Sequence, residues 1–183
     1  MIYSFLLLGC PAGTYNDLRG QDECVECPPG YFCEANSTDF VGFDCPLGHY
    51  CVAGTMFAEQ YPCPSGSFNN ASNGRSENDC TLSPPGYFSE GSGNLNPSGL
   101  CDEGYYCPRG AVTSTPRCEE SYCPTGGACY PGVECPKGTG DPKPCRGGMY
   151  CSDSSGIATG KCLQGHYCVQ VIGFSILFYF LFS

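Results

Sequence analysis

Cysteine is the residue type in this sequence that offers the most chemistry. The chain has 183 residues, and 18 of them are cysteines. A thiolate is a nucleophile and a metal ligand, and two thiols can be oxidised to a disulfide. Cysteine at about one residue in ten is typical of a disulfide scaffold. Because so many thiols would not persist in a reducing compartment, the sequence predicts a protein that is extracellular or on the cell surface.

Catalysis is not predicted from these residues. A nucleophilic cysteine needs a basic neighbour that lowers its pKa, and an even number of cysteines leaves no obvious free thiol. The sequence contains no motif of serine hydrolases, zinc proteases, P-loop proteins or dinucleotide-binding proteins. We therefore predict no enzymatic activity, no catalytic residue and no cofactor. A secreted disulfide-rich enzyme is a further class, which only turnover that depends on one defined residue would support.

Metal binding is the next chemistry that these residues suggest. Cys24 and Cys27 form a CxxC pair, but tetrahedral zinc needs four clustered ligands and no second CxxC follows. The acidic segment 20–24 is similar to the start of a calcium-binding EGF-like module but lacks the first carboxylate. The two histidines, His49 and His166, occupy one permissive position of a repeat and are expected to fill space. We predict no metal site.

The charge of the chain excludes one class of partner. The net charge is -10, from 18 acidic and 8 basic residues, so no basic surface can neutralise a phosphate backbone. Nucleic acid is therefore not an expected partner. The acidic residues are scattered along the chain, which favours a solvated surface over an acidic binding tract.

Two sequons in polar loops predict N-linked glycans. They are Asn36-Ser37-Thr38 and Asn70-Ala71-Ser72, and their acceptors are Asn36 and Asn70. A third candidate, Asn96-Pro97-Ser98, is excluded because proline follows the asparagine.

The cysteines belong to a short repeat, CxxGx(Y/F)C, which predicts a chain of small modules. Its glycine lies where the chain must turn tightly between two nearby cysteines, and a positive φ is tolerated there. The aromatic residue before the second cysteine is expected to be the core of its module. The first cysteines recur every 16 to 18 residues over much of the chain. The five full copies are Cys27–Cys33, Cys45–Cys51, Cys101–Cys107, Cys145–Cys151 and Cys162–Cys168.

Two departures from the repeat bear on how the cysteines pair. Cys10–Cys24 and Cys63–Cys80 keep the glycine and the ring but place asparagine after the ring and the second cysteine farther away. Ser83–Ser89 has serine at both cysteine positions, and this joint loss suggests that the two cysteines of a repeat bond to each other. Bridges between repeats, such as Cys33 to Cys45, fit the period equally well, so the pairing stays open.

The crowded segment that contains Cys118, Cys123, Cys129 and Cys135 leaves the connectivity most open, since CPTGGAC and CYPGVEC share Cys129. The cysteines expected to form structural disulfides are Cys10, Cys24, Cys27, Cys33, Cys45, Cys51, Cys63, Cys80, Cys101, Cys107, Cys145, Cys151, Cys162 and Cys168.

Residues 10–168 resemble the ephrin-receptor-like cysteine-rich repeats, which are related in style to EGF-like and growth-factor-receptor modules. The resemblance rests on CPAGTY at Cys10, on CPPGYFC at Cys27 and on the similar copies that follow. It implies a spacer that carries binding domains in a long extracellular protein, with no activity of its own. We therefore expect a structural segment of a secreted or cell-surface protein. The alternative is a receptor ectodomain that binds extracellular protein ligands.

The ends of the chain differ from its centre. Residues 1–9 are apolar with no basic residue before them, which makes them a poor signal peptide or an artefact. Residues 169–183 are apolar but too short to span a bilayer, and are expected to be a truncated membrane segment or a non-native end. We thus expect a fragment of a longer protein whose membrane anchor, if it has one, is missing or truncated here.

Between these ends we predict a first array at 10–80, a cysteine-poor unit and flexible joint at 81–100, and a second array at 101–168. The predicted fold is a small disulfide-rich repeat that is loop-dominated, with short β-ribbons in an elongated array. Almost no helix is expected outside the apolar termini.

The elongated array can be tested by small-angle scattering on residues 10–168. Modules that contact only their neighbours give a quasi-linear chain, whereas a compact domain of this length has a radius of gyration of about 15 Å. We expect a clearly larger value for the oxidised segment. A value near the compact one would contradict the array.

Overall fold

Disulfides and tight turns, more than helices or sheets, give this chain its structure. The computed structural model describes residues 9–19, 21–117, 126–152 and 155–165, together with Cys168. In these residues the regular elements are one 3-10 turn at Glu77–Asp79 and a set of two-residue strands. The strands are β1 Thr14–Tyr15, β2 Val25–Glu26, β3 Ser67–Phe68, β4 Thr81–Leu82, β5 Tyr87–Phe88, β6 Gly99–Leu100, β7 Tyr105–Tyr106, β8 Gly127–Ala128, β9 Val133–Glu134, β10 Lys143–Pro144, β11 Met149–Tyr150 and β12 Gly160–Lys161.

Consecutive strands pair as antiparallel ribbons, β1 with β2, β3 with β4, and so on to β11 with β12. The first strand of each ribbon follows the turn glycine of one repeat. The second strand ends directly before the first cysteine position of the next repeat. In the first ribbon, for example, Tyr15 lies opposite Val25. Single bridges from Tyr31 to Asp44 and from His49 to Pro62 occupy the equivalent places in two other repeats.

A backbone hydrogen bond links each repeat to the next and recurs along the described residues. The carbonyl of the turn glycine accepts a hydrogen bond from the amide at the first cysteine position of the following repeat, at 2.8 to 3.0 Å. We call this the inter-repeat hydrogen bond. Its acceptor and donor residues are Gly13 and Cys27, Gly30 and Cys45, Gly48 and Cys63, Gly66 and Ser83, Gly86 and Cys101, Gly104 and Cys129, Gly132 and Cys145, and Gly148 and Cys162.

The turn glycine is required by its backbone conformation and by its surroundings. Gly48 has a φ of 78°, in the left-handed region that residues with a side chain seldom adopt. A Cβ atom at Gly48 would also overlap the carbonyl oxygen of Gly93. The glycine in the sequence pattern therefore serves both the turn and the close approach of a second backbone segment.

The buried residues are mainly cysteines, so each module has its own small core. Cys27, Cys33 and most other bonded cysteines are buried, and few other apolar side chains join them. The aromatic residue before the second cysteine was expected to be this core, but Phe32, Tyr50 and Tyr106 are only partly buried and Tyr150 is exposed. Phe88 packs against the cluster of Cys101, Cys107 and Ala111, and Tyr106 packs against the cluster that contains Val133. These two rings thus cover the disulfide of the following repeat.

The described residues form two bodies. One contains the described residues up to Ser83 together with Ser89–Ser98, and the other contains Pro84–Phe88 and the described residues from Gly99 onward. The flexible joint predicted at 81–100 stays a prediction. In the first body, Gly93 donates to the Cys63 carbonyl at 2.8 Å, and the Asn94 side chain donates to the Glu90 carbonyl at 3.1 Å.

The fold class predicted from the sequence is confirmed, since the described residues form a small, loop-dominated, disulfide-rich fold with short ribbons and almost no helix. The elongation of the array stays a prediction. None of the described residues belongs to a helix with the length and apolar character needed to cross a lipid bilayer.

Two glycine substitutions distinguish the two requirements for glycine at the turn, namely the positive φ and the close approach of a second backbone segment. Gly42 also has a positive φ, of 86°, but a Cβ atom there would meet nothing within 4 Å. We expect Gly42→Ala to cost about 1 to 2 kcal/mol of unfolding free energy through backbone strain alone. Gly48→Ala should cost a further 1 to 3 kcal/mol, roughly, from the overlap. Urea unfolding of the oxidised proteins measures both, and equal costs would contradict the close approach.

Candidate functional site

The repeated cysteines form local disulfides. Among the described residues no cysteine is free, and the two cysteines of each short repeat bond to each other across six residues. The described cysteines form no bridge between repeats, such as Cys33 to Cys45. The pairs are Cys10–Cys24, Cys27–Cys33, Cys45–Cys51, Cys63–Cys80, Cys101–Cys107, Cys129–Cys135, Cys145–Cys151 and Cys162–Cys168.

The pairing assigns the shared cysteine of the crowded segment. Cys129 bonds to Cys135, so it opens the repeat CYPGVEC and does not close CPTGGAC. Cys118 and Cys123 lie outside the described residues.

These bonds determine what the sulfur atoms can do chemically. Cys24 and Cys27, the CxxC pair, belong to two different disulfides and offer no thiolate to a metal. In the described part of the chain, one group brings three possible ligand atoms within 4.8 Å of one another, namely Glu134, Cys145 and Cys151. Because its two sulfurs are bonded to each other, this group has a single carboxylate ligand left.

A pair of serines replaces the disulfide in one repeat. Ser83 and Ser89 are both fully buried, and their hydroxyl oxygens are 2.6 Å apart. The Ser83 amide makes the inter-repeat hydrogen bond to Gly66, and the Ser89 carbonyl accepts from the Gly66 amide. The backbone of this repeat therefore has the same connections as its disulfide-bonded neighbours, and a hydroxyl pair closes it.

Asn69 replaces the second cysteine in the repeat that begins at Cys63. Its carbonyl accepts from the Gly48 amide, as the Cys51 carbonyl accepts from the Gly30 amide. Its side chain is 5% exposed, donates to the His49 carbonyl at 3.1 Å and accepts from the Ala71 amide at 3.0 Å. The asparagine after the ring was visible in the sequence, but its role in place of a cysteine was not recognised.

A second turn follows the second cysteine of several short repeats, and sequence reasoning missed it. Asn36 and Gly54 lie three residues after Cys33 and Cys51, both have positive φ, and their amides donate to the carbonyls of Cys10 and Cys27. The signal that could have revealed this turn is a glycine or asparagine at that spacing, followed by serine or threonine. The hydroxyl of this next residue donates to the carbonyl three residues back, as Thr55 does at 2.6 Å.

The predicted glycan acceptors lie in different surroundings. Asn36 is exposed but belongs to the second turn, and its side-chain oxygen lies against Gly9, where a Cβ atom would overlap it. Asn70 is exposed in the loop between β3 and the 3-10 turn, beside an open cavity of about 390 Å³. Glycosylation of both residues stays a prediction.

His49 is half-buried in the first body. Its Nδ1 lies 3.0 Å from the Leu47 carbonyl oxygen, and its ring lies next to Gly93. No carboxylate among the described residues bonds to this ring. His166 lies outside the described residues.

Among the described residues, Glu134 and Arg146 form an ion pair, with the Arg146 Nε atom 2.9 Å from Glu134 Oε2. The Arg146 amide also donates to Glu134 Oε1 at 3.0 Å. This backbone hydrogen bond, with the guanidinium beside it, lowers the pKa of Glu134 despite its burial. The pair joins the repeat that contains Cys129 to the one that begins at Cys145.

The described residues hold their polar groups in structural bonds. Every buried side-chain nitrogen or oxygen in that part of the chain has a hydrogen-bond partner. The bonded sulfurs, paired hydroxyls and satisfied amides of these residues stabilise turns and repeat contacts. Comparison with protein-family models finds no match, and comparison with curated proteins finds no significantly similar sequence.

Substitutions at the serine pair test whether it replaces the disulfide. Ser83→Ala leaves the buried Ser89 hydroxyl without a partner and should cost about 1 to 3 kcal/mol of unfolding free energy. The double change to alanine removes both polar groups, so we expect it to cost less than the sum of the single changes. The exposed Ser92→Ala is the matched control and should have little effect. Additive costs in equilibrium unfolding would contradict a bonded pair.

The ion pair predicts a pH dependence. Because the pKa of Glu134 is lowered on folding, its contribution is fully present above about pH 4.3, the ordinary value for glutamate, and is lost as the pH falls further. We expect the thermal stability of the native chain to fall below that pH by more than the thermal stability of Glu134→Gln does. Since Arg146 is 75% exposed, the difference should be small and should shrink in high salt. Identical pH profiles would show that the pair contributes nothing.

Proposed function

We propose that this chain is a non-enzymatic structural spacer in a secreted or cell-surface protein, built from repeats of the ephrin-receptor-like kind. The observation that carries the proposal is the recurring inter-repeat hydrogen bond. Each repeat makes its connection to the next through the backbone, so repeats can be added or removed without redesigning a shared core. Such a structure suits a segment whose length is its function.

The disulfides support the proposed compartment. Small modules without a common apolar core depend on cross-links that restrict the unfolded chain, worth roughly 3 kcal/mol for a loop of 15 residues. Disulfide density of this kind is that of a protein in an oxidising setting. From this we infer a secreted or surface-exposed location, with extracellular proteins as the neighbours of the spacer.

The absence of enzymatic activity is part of the proposal. The cysteines of the described residues are bonded, and His49 has no acidic partner there. The buried polar groups serve the turns and the repeat contacts, as at Ser83, Ser89 and Asn69.

The spacer function can be tested by display on a cell surface. Residues 10–168 are placed between a membrane anchor and a fluorescent tag, and the height of the tag above the membrane is measured. We expect this height to rise in proportion to the number of repeats and to fall after reduction. Deletion of residues 27–44, one whole repeat step with its Cys27–Cys33 disulfide, should shorten the spacer without unfolding the rest.

A matched control replaces the same length with a flexible Gly/Ser linker, whose height should grow only as the square root of its length. A height that does not depend on the number of repeats would contradict the proposal. If a soluble extracellular protein also bound the displayed segment, a ligand-binding ectodomain would be favoured.

A further inference from the structure

The disulfide between Cys10 and Cys24 differs from the other described disulfides in its exposure. Cys24 is exposed, whereas every other bonded cysteine in the described part of the chain is buried or half-buried. In the short repeats the burial is complete, as at Cys27 and Cys33 with 0% exposure. Because thiol–disulfide exchange requires a thiolate to reach a sulfur atom, access favours Cys24 as the point of attack.

Little besides this disulfide holds the segment that it closes. The described residues between Asp17 and Glu23 make one hydrogen bond with a described partner, from the Leu18 amide to the Asn16 side-chain oxygen at 3.1 Å. That bond stays within the same turn. Opening the bridge therefore breaks no contact between this segment and another described repeat.

The other long-loop disulfide, Cys63–Cys80, provides a contrast within the same chain. Its loop is bonded to earlier repeats, since the Asn73 side chain donates to the Gly30 carbonyl at 3.1 Å and to the Asp44 carboxylate at 2.7 Å. Cys63 is fully buried and Cys80 is half-buried. Two bridges of similar design thus differ in both access and the contacts that would resist opening.

The first repeat contacts the second through backbone atoms that do not involve Cys24. The Gly13 amide donates to the Cys33 carbonyl at 2.7 Å, and the Gly13 carbonyl accepts from the Cys27 amide at 2.9 Å. Asn16 lies at the second-cysteine position, and its amide donates to the Ser37 carbonyl at 3.2 Å. These bonds can persist when the bridge is open.

The backbone also holds both ends of the bridge. The Cys10 carbonyl accepts from the Asn36 amide at 2.8 Å. Cys24 directly precedes β2, which pairs with β1 from Thr14 to Glu26. The two cysteines of the reduced form therefore stay near each other, so the bridge can close again when the thiol is removed.

The charges around Cys24 select among thiols. Asp22 and Glu23 precede it and Glu26 follows it, and all three are exposed, with Arg19 as the described cation of the same segment. Excess negative charge repels an anionic reagent and attracts one that carries an ammonium group, in a manner that salt screens.

We propose that Cys24 is a site of thiol–disulfide exchange that takes a neutral or cationic thiol in preference to an anionic one. The thiolate attacks Cys24 Sγ, a new S–S bond forms there, the bond to Cys10 breaks, and Cys10 leaves as a thiolate that takes up a proton. A second thiol then releases Cys24, and the two reagent molecules leave as their own disulfide, so the reagent is oxidised by two electrons and the bridge is reduced. This exchange does not depend on the spacer function.

Timed reduction of the oxidised full chain with cysteamine tests the site. Samples are quenched with N-ethylmaleimide and mapped by mass spectrometry. We expect Cys10–Cys24 to open roughly tenfold faster than Cys63–Cys80, because exposure and the lack of loop contacts both favour it. The mixed disulfide should be found on Cys24, with the maleimide on Cys10. Equal rates for the two bridges, or a mixed disulfide on Cys10, would overturn the proposal.

The charge preference is measured by comparing cysteamine with mercaptoethanesulfonate. Each rate is divided by the thiolate concentration and by the rate of the same reagent on an uncharged small disulfide. We expect cysteamine to react about three- to tenfold faster, and the ratio to approach one in high salt. Asp22→Asn combined with Glu23→Gln should narrow the ratio. A ratio of one at low salt would contradict the selection of thiols by charge.

A variant pair tests whether the backbone contacts survive opening. In Cys10→Ser with Cys24→Ser, the Gly13 and Asn16 amides should keep their hydrogen-exchange rates within about threefold. In the matched variant, Cys27→Ser with Cys33→Ser, these rates should rise more than tenfold, roughly, because the second repeat loses its buried bridge. Equal loss of protection in both variants would contradict a reversible opening. The order of reduction is measured on the native chain, so it decides the proposal even if a variant does not fold.

Discussion

The inter-repeat hydrogen bond is the interaction on which the rest of this structure depends. It joins the carbonyl of a turn glycine to the amide at the first cysteine position of the next repeat, and so connects one turn to the following ribbon. The glycine must lie in the left-handed region for its carbonyl to point that way, as Gly30 does with a φ of 94°. Since the bond uses backbone atoms alone, it forms whether the next repeat begins 13 residues after the glycine, as at Gly132 and Cys145, or 25 residues after it, as at Gly104 and Cys129.

This dependence on the backbone explains why the side chains that close the repeats can differ. A disulfide closes Cys27–Cys33, a hydrogen bond between hydroxyls closes Ser83–Ser89, and at Asn69 a side-chain amide holds the turn while Cys63 bonds to the distant Cys80. All three satisfy or remove the polar groups that burial would otherwise penalise. They differ in their response to reductant, so reduction should open the modules unequally.

The proposed function follows from the loops that the repeat contacts leave free to vary. Buried positions are taken by cysteines and by small hydroxyl residues such as Thr55, so the long loops are free to vary without disturbing a shared core. A spacer needs such independence, because its modules contribute length one by one. The loop between Phe68 and Glu77, for example, lines an open polar cavity and still leads to the Cys63–Cys80 disulfide.

The sequence alone determined the repeat, the disulfide-rich fold class and the turn at the recurring glycine. Few other residues can replace cysteine in a disulfide or glycine at a positive φ. It could not decide whether Cys33 bonds to Cys27 or to Cys45, since both pairings fit the same period. The roles of Asn36 and Asn69 were also hidden. Each depends on a backbone partner from another repeat, Cys10 or His49, and only the tertiary structure brings those carbonyls within hydrogen-bond distance.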